Sequence, residues 1–258
     1  MRSAADLLLL SNSSVHGRGY LEHANAAIGA FLEGRRTVHF APFALADRGG
    51  YTGRARAALD QFGVSVVGLH TVKDAASALA EAEVLFVGGG NSFRLLKALH
   101  ELNLIEVTKK RVAAGELAYM GSSAGTNMAC PTVRTTNDMP IVQPRSFESF
   151  GLIPFQINPH YIDPDPQSTH MGETREKRIE QFLEENDVPV LGMREGAWLR
   201  RQGPRLTLEG ATGARLFRRG VEASEFAEGA DLSFLLDVQA SFDAGAPQAS
   251  ATAHGSAA

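Results

Sequence analysis

The chain has 258 residues, 44% of them hydrophobic and 21% charged, with a formal net charge of −4. That length is ample for the core of one α/β domain, and a mildly acidic balance without a long Lys/Arg run excludes an electrostatic nucleic-acid binder. Apolar runs such as residues 7–10 are too short to span a bilayer, and the single cysteine, Cys130, has no partner for an internal disulfide, so a cytoplasmic protein is expected.

In chain order, residues 6–10 form an apolar run opening into Ser11-Asn12-Ser13-Ser14, the pattern of a buried strand ending in a loop. Residues 20–32 carry Leu21, Ala24, Ile28 and Phe31 at helical spacing. Strands at 38–43 and 64–69 then alternate with helices at 54–62 and 73–82, and a fourth buried strand at 84–87 runs into Gly88-Gly89-Gly90-Asn91. Helices follow at 92–102 and 104–114. Such alternation predicts βαβ units and a mostly parallel central sheet with flanking helices. Further on, 172–185 reads as a helix and 188–193 as a strand, while 205–208, 214–217 and 232–236 read as short antiparallel strands at a sheet edge. Residues 1–242 are expected to form one catalytic domain. The Ala/Gly/Ser/Pro-rich stretch 243–258 has nothing to build a core with and is expected to be a disordered tail.

The chemistry centres on residues 117–128. A short apolar run ending at Met120 meets Gly121-Ser122-Ser123-Ala124-Gly125, a G-x-S-x-G pattern leading into a helix. A strand that turns directly into a helix strains its central residue and leaves no room for bulky neighbours, hence glycines on both sides of Ser123. The hydroxyl then projects at the carboxyl edge of the sheet, beside backbone N–H groups that favour negative charge. Gly88-Gly89-Gly90-Asn91 fits neither a dinucleotide fingerprint nor a Walker loop, and reads best as the second half of an oxyanion hole.

A serine nucleophile needs a base, and the base an acceptor on its other nitrogen. Among the eight histidines, His160 ends a strand after Asn158-Pro159 and precedes an acidic loop, with His170 in reserve and His254 in the tail. Asp138 and Glu195 are both placed to orient His160, and the other one is free to bind a substrate amine. Asp163 and Asp165 with His160 and His170 match no metal-ligand spacing, so no metal is expected.

These motifs, together with Thr135-Thr136-Asn137-Asp138-Met139-Pro140, Ile157-Asn158-Pro159-His160, Gly172-Glu173-Thr174-Arg175 and Glu195-Gly196, resemble peptidase E, the aspartyl dipeptidase family of serine peptidases, over roughly residues 6 to 236. The resemblance implies a three-layer sandwich like that of class I glutamine amidotransferases, with serine replacing that fold's cysteine. It implies cofactor-free hydrolysis of Asp-Xaa dipeptides, with a small peptide as partner and a monomer or homodimer as the assembly. Carried over by motif, Ser123 is the nucleophile and His160 the base, with Asp138 and Glu195 both candidates for the acid. Gly90 and Ala124 supply oxyanion N–H groups. Arg175 receives the aspartyl carboxylate, with Asn91 as a further substrate contact. Ser122 departs from the family, which often has a bulkier residue there. The alternatives are a cyanophycinase-like enzyme for β-aspartyl bonds, an esterase, and a binding module without turnover.

Overall fold

The computed structural model describes residues 5–167, 169 and 171–245. Its strands are β1 (Asp6–Leu10), β2 (Thr37–Ala41), β3 (Ser65–Gly68), β4 (Val84–Val87), β5 (Ala118–Ser122), β6 (Gln156–Tyr161), β7 (Val190–Arg194), β8 (Trp198–Gln202), β9 (Arg205–Glu209), β10 (Ala214–Arg218) and β11 (Val221–Phe226). Between them lie α1 (Asn25–Leu32), α2 (Arg48–Leu59), α3 (Ala75–Ala80), α4 (Ser92–Glu101), α5 (Leu104–Ala114), α6 (Ala124–Ala129) and α7 (Arg175–Glu185). A seven-stranded sheet has the order β3-β2-β4-β5-β1-β8-β9. Its first five strands are parallel, and β8 and β9 are antiparallel additions. A separate four-stranded sheet runs β11-β10-β7-β6, with only β6 and β7 parallel.

The strands of the large sheet are apolar on both faces because both faces are covered. Leu8, Leu10, Phe86 and Met120 pack against Ile28 and Phe31 of α1 and Ala55 and Leu59 of α2. The alternate residues Leu7, Leu9, Leu85, Val87 and Tyr119 pack against α4, α5 and α6 through Leu95, Leu99, Val112 and Met128. Ile157, Leu191, Met193 and Leu216 from the small sheet enter that second core, while its outer face meets α7 through Tyr161, Phe217, Ile179 and Leu183. Parallel register sets Leu10 opposite Ser122 and Val87 opposite Gly121. The segments beginning at Ser11, Gly88 and Ser123 therefore leave the sheet at one edge, where open α/β sheets place ligands.

Some expectations are corrected. Residues 232–236 are not a strand but the start of a 3-10 helix at Ser233–Asp237, because Asp231 accepts hydrogen bonds from both the N–H and the hydroxyl of Ser233 and closes a turn. Of the other two C-terminal segments, β9 is indeed an edge strand, whereas β10 lies inside the small sheet. The first helix starts late, since Leu21 N–H is drawn to the Ser13 carbonyl and Leu21 adopts φ 65°. The second starts early, with Asp47 capping Gly50 N–H. Order also continues past residue 242. Asp243 pairs with Arg134 at 2.7 Å and Ala244 N–H bonds the Glu185 carbonyl. The rest of the expected tail, with His254, lies outside the described residues, as does His170. No helix among the described residues is long and apolar enough to cross a membrane.

Candidate active site

Ser123 is the single residue between β5 and α6, with φ 53° and ψ −113°, a conformation that non-glycine residues hold only when their surroundings force it. The forcing groups are visible. Ser123 N–H bonds the Leu10 carbonyl at 3.1 Å, and Thr126 Oγ1 donates to the same oxygen at 2.6 Å. A Cβ on Gly125 would stand 2.0 Å from the Val87 carbonyl oxygen, and one on Gly121 would stand 2.6 Å from the Gly125 carbonyl oxygen. Glycine is thus required where β4, β5 and α6 approach one another. The carbonyl of Ser123 accepts from Thr126 and Asn127 N–H, which ties the turn to the first helical residues.

His160 also has a positive φ, 53°. The cause is an irregularity in the parallel pair β6–β7. Asn158 stands opposite Gly192 but Tyr161 opposite Arg194, so Pro159 and His160 share the place facing Met193. Such a bulge re-aims a side chain. Here it is pinned from the other sheet: Ser11 Oγ accepts from His160 N–H at 2.9 Å and donates to the Met193 carbonyl at 2.8 Å. Asn12 Oδ1 accepts from Gly196 N–H at 2.8 Å, next to Glu195. Ser11 and Asn12 therefore lace the end of β1 to both elements of the small sheet. Their role was not foreseen; the only sequence signal was a polar pair just past a buried strand at the carboxyl edge.

With these supports, His160 Nε2 lies 2.8 Å from Ser123 Oγ and His160 Nδ1 lies 2.6 Å from Glu195 Oε1. A carboxylate accepts, so Nδ1 carries the proton and the Nε2 lone pair faces the serine hydroxyl. Glu195 is about half exposed, at 53%, whereas His160 is 35% exposed.

Asp138 is not in this chain. Its Oδ2 accepts from Ser92 N–H at 2.7 Å and from Ser92 Oγ at 2.6 Å, capping the first turn of α4. Asn91, expected to touch substrate, is engaged likewise: Oδ1 caps Arg94 N–H and Nδ2 donates to the Met139 carbonyl. The segment carrying Asp138 supports β6 below His160, since Asn137 Nδ2 donates to the Pro159 carbonyl and Thr135 Oγ1 to that of Ile157. Cys130 is buried and its thiol is pushed up to about 12 by that burial, so it stays protonated and inert.

A cavity of about 280 Å³ contains Ser123, His160, Gly89, Gly90, Tyr51 and Arg54. Gly89 presses on Ser123 so closely that a Cβ there would stand 3.0 Å from the Ser123 Cβ. Gly90, at φ 128°, is similarly crowded by Ala44. The glycine run and the start of α6, with Ala124, thus flank the serine. Arg175 opens α7 and borders a different hollow of about 420 Å³ with the acidic loop at Asp163 and Asp165. Burial first, and then the nearby Arg178, depress its pKa, while Asp138 opposes them. Of the carboxylates close in sequence, Glu173 pairs with Arg178, Glu176 with Arg215 and Glu180 with Lys177, and among the described residues no carboxylate forms an ion pair with Arg175.

The pattern of peptidase family S51 matches residues 7–209, from β1 through β9. The chain belongs to peptidase family S51. It is 60% identical over 240 residues to a protein named peptidase E from Streptomyces coelicolor, covering 93% of this chain and 98% of that one. It is 48% identical over 238 residues, 92% of this chain and 99% of the relative, to a probable alpha-aspartyl dipeptidase from Drosophila melanogaster. A crystal structure of a putative peptidase E from Listeria monocytogenes superposes with a TM-score of 0.61 at 22% identity, over 81% of this chain and 99% of that one, and so speaks for the fold. The family match covers Ser123, His160 and Glu195 together.

Proposed function

We propose that this S51 peptidase hydrolyses dipeptides with an N-terminal aspartate, using Ser123, His160 and Glu195 as nucleophile, base and orienting acid. The observation that carries this reading is the unbroken hydrogen-bonded chain from Ser123 Oγ through His160 to Glu195, built on two residues held at positive φ. In the reaction, Ser123 Oγ attacks the scissile carbonyl carbon as its proton moves to His160 Nε2. The resulting oxyanion lies toward the N–H groups of Gly90 and Ala124. His160 returns the proton to the leaving amine as the C–N bond breaks, and then takes one from water to hydrolyse the aspartyl ester. Glu195 holds the imidazole in the tautomer that can accept, and stabilises the imidazolium.

Three things support aspartate as the acyl residue. Relatives of high identity and nearly full coverage are named peptidase E and alpha-aspartyl dipeptidase. Arg175 is a partly desolvated guanidinium without a carboxylate partner among the described residues, which is what a buried bidentate carboxylate site requires. The acidic groups Asp165 and Glu195 supply a field suited to a free α-ammonium. The single cysteine, buried as a thiol, fits a cytoplasmic enzyme.

The test is amine release from Asp-Leu, Glu-Leu, Asn-Leu, β-Asp-Leu and acetyl-Asp-Leu, with Ser123→Ala as control. Cleavage confined to Asp-Leu, and lowered at least about 10⁴-fold in Ser123→Ala, is expected. Preference for β-Asp-Leu would replace this reading with an isoaspartyl or cyanophycin-type hydrolase.

A further inference from the structure

A dipeptide Asp-Xaa carries two carboxylates, and Arg175 accounts for one. The geometry points to Arg54 as the residue that binds the C-terminal carboxylate of the leaving amino acid, and so makes the enzyme prefer dipeptides to longer or capped substrates. This assignment rests on the aspartyl-dipeptidase reading above.

Arg54 is the cationic side chain in the cavity that holds Ser123 and His160, whereas Arg175 borders a different hollow, lined by the loop that follows His160. The two cations arrive from opposite directions. Arg54 lies on α2, which packs on one face of the large sheet, and Arg175 on α7, behind the small sheet. A substrate whose scissile carbonyl sits on Ser123 extends both ways from it, acyl residue to one side and leaving residue to the other. Arg54 is exposed at the rim, which suits a terminal carboxylate that remains close to water.

The guanidinium is also held in place. Its Cζ lies 5.1 Å from the ring centroid of Tyr51. The Tyr51 ring is itself buried, edge-on to Phe40 at 5.0 Å, and its hydroxyl meets that of Tyr20 at 3.4 Å. That hydroxyl lies so near Gly88 that a Cβ there would stand 2.4 Å from it. One rigid ring thus connects the glycine run beside the nucleophile to Arg54. Burial pushes the Tyr20 and Tyr51 hydroxyls upward, and the Arg54 charge opposes that push on both, as expected for a cation facing into the cavity. No described carboxylate forms an ion pair with Arg54, and Glu195 is already engaged by His160. The cation is free to accept an anion from the substrate.

The experiment compares Asp-Leu with Asp-leucinamide, identical except for the terminal charge, in the wild type, Arg54→Met and Arg54→Lys. An exposed charge pair is worth little, so wild-type kcat/KM is expected to favour the free acid by about twofold to fivefold at low salt, fading as salt is added. Arg54→Met should erase that preference by raising KM for Asp-Leu, leave Asp-leucinamide within about twofold, and keep the wild-type melting temperature, because the side chain is exposed. Arg54→Lys should restore part of the preference. Equal hydrolysis of acid and amide by the wild type, or an equal loss on both in Arg54→Met, would overturn the assignment while leaving the aspartyl-dipeptidase reading intact. Cleavage of neither substrate by folded wild type would overturn both.

Discussion

The two halves of the catalytic chain are built in opposite ways. Ser123 is fixed by backbone: glycines that admit no Cβ, a carbonyl of β1 that accepts two hydrogen bonds, and a strand and helix fully buried on both sides. His160 and Glu195 are fixed by side chains reaching across from the other sheet, and both remain partly exposed. A serine in the proposed role of nucleophile must hold one strained geometry, so its setting is over-determined. A histidine in the proposed role of base must accept and return a proton while water enters for deacylation, so its setting is open. Damage to the first half should therefore appear as lost folding, and damage to the second as lost rate.

The largest effect is expected at Gly125→Ala. The new methyl would meet the Val87 carbonyl oxygen at 2.0 Å, and neither strand nor helix has room to withdraw. A loss of roughly 3 kcal/mol or more, or failure to fold, is expected, since overpacking against buried backbone is among the few mechanisms that destabilise this strongly. Urea denaturation checks it, and an unchanged midpoint would refute the over-determined elbow.

Next comes the contrast between the two acids. Glu195→Gln keeps the shape but lets Nδ1 face a donor or acceptor amide, so kcat is expected to fall about 10³- to 10⁴-fold with stability little changed. Asp138→Asn weakens a cap on α4, and is expected to lower stability by about 1 kcal/mol with activity kept within roughly tenfold. Steady-state kinetics and thermal melts on the pair decide the matter. The reverse ranking would return Asp138 to the triad.

That contrast also marks how far the sequence could be read. Strands buried on both faces are continuous apolar runs, and Ser123 sits in a pattern that spans five residues, so fold class and the strained turn at Ser123 were legible locally. His160 was legible because Asn158-Pro159-His160 ends a strand beside an acidic loop. Which carboxylate meets His160 was not, because that depends on which strand pairs with β6 and on a bulge that turns His160 toward residue 195, a contact made only by tertiary structure. Ser11 escaped for the same reason: its partners, Met193 and His160, are 182 and 149 residues away. The 3-10 turn at residues 233–237 escaped because a Ser–Asp side-chain bond overrode an apolar pattern that suited a strand equally well.

Ser11→Ala probes the seam between the halves. It leaves the Met193 carbonyl and His160 N–H without their shared partner, so a stability loss of about 1–3 kcal/mol is expected. The bulge would also lose its anchor, lowering kcat by about tenfold while KM holds, because a displaced base affects the proton transfer more than binding. Thermal denaturation and kinetics on one preparation measure both. Lost stability with unchanged kcat would mean that Ser11 supports the fold without positioning His160.

The smallest effect concerns the loop between His160 and Arg175. Asp163 accepts from Nε and Nη2 of Arg194, both at 2.7 Å, and Arg194 also meets Glu225. These bonds from Arg194 hold the Asp163 carboxyl below its ordinary range, and the same two partners raise the Arg194 pKa. A carboxylate whose folded pKa is depressed contributes stability that is fully present above its unfolded value of about 4, and that contribution disappears as pH falls through the lower folded value. The Asp163 side chain is 47% exposed, so solvent screening keeps the effect under about 1 kcal/mol and confines it to the loop. Between pH 5 and pH 3, pepsin cleavage within residues 162–167 should accelerate before the core yields, and Asp163→Asn should already cleave fast at pH 5. Equal cleavage of both proteins across that range would show that the Arg194 contact does not tether this loop.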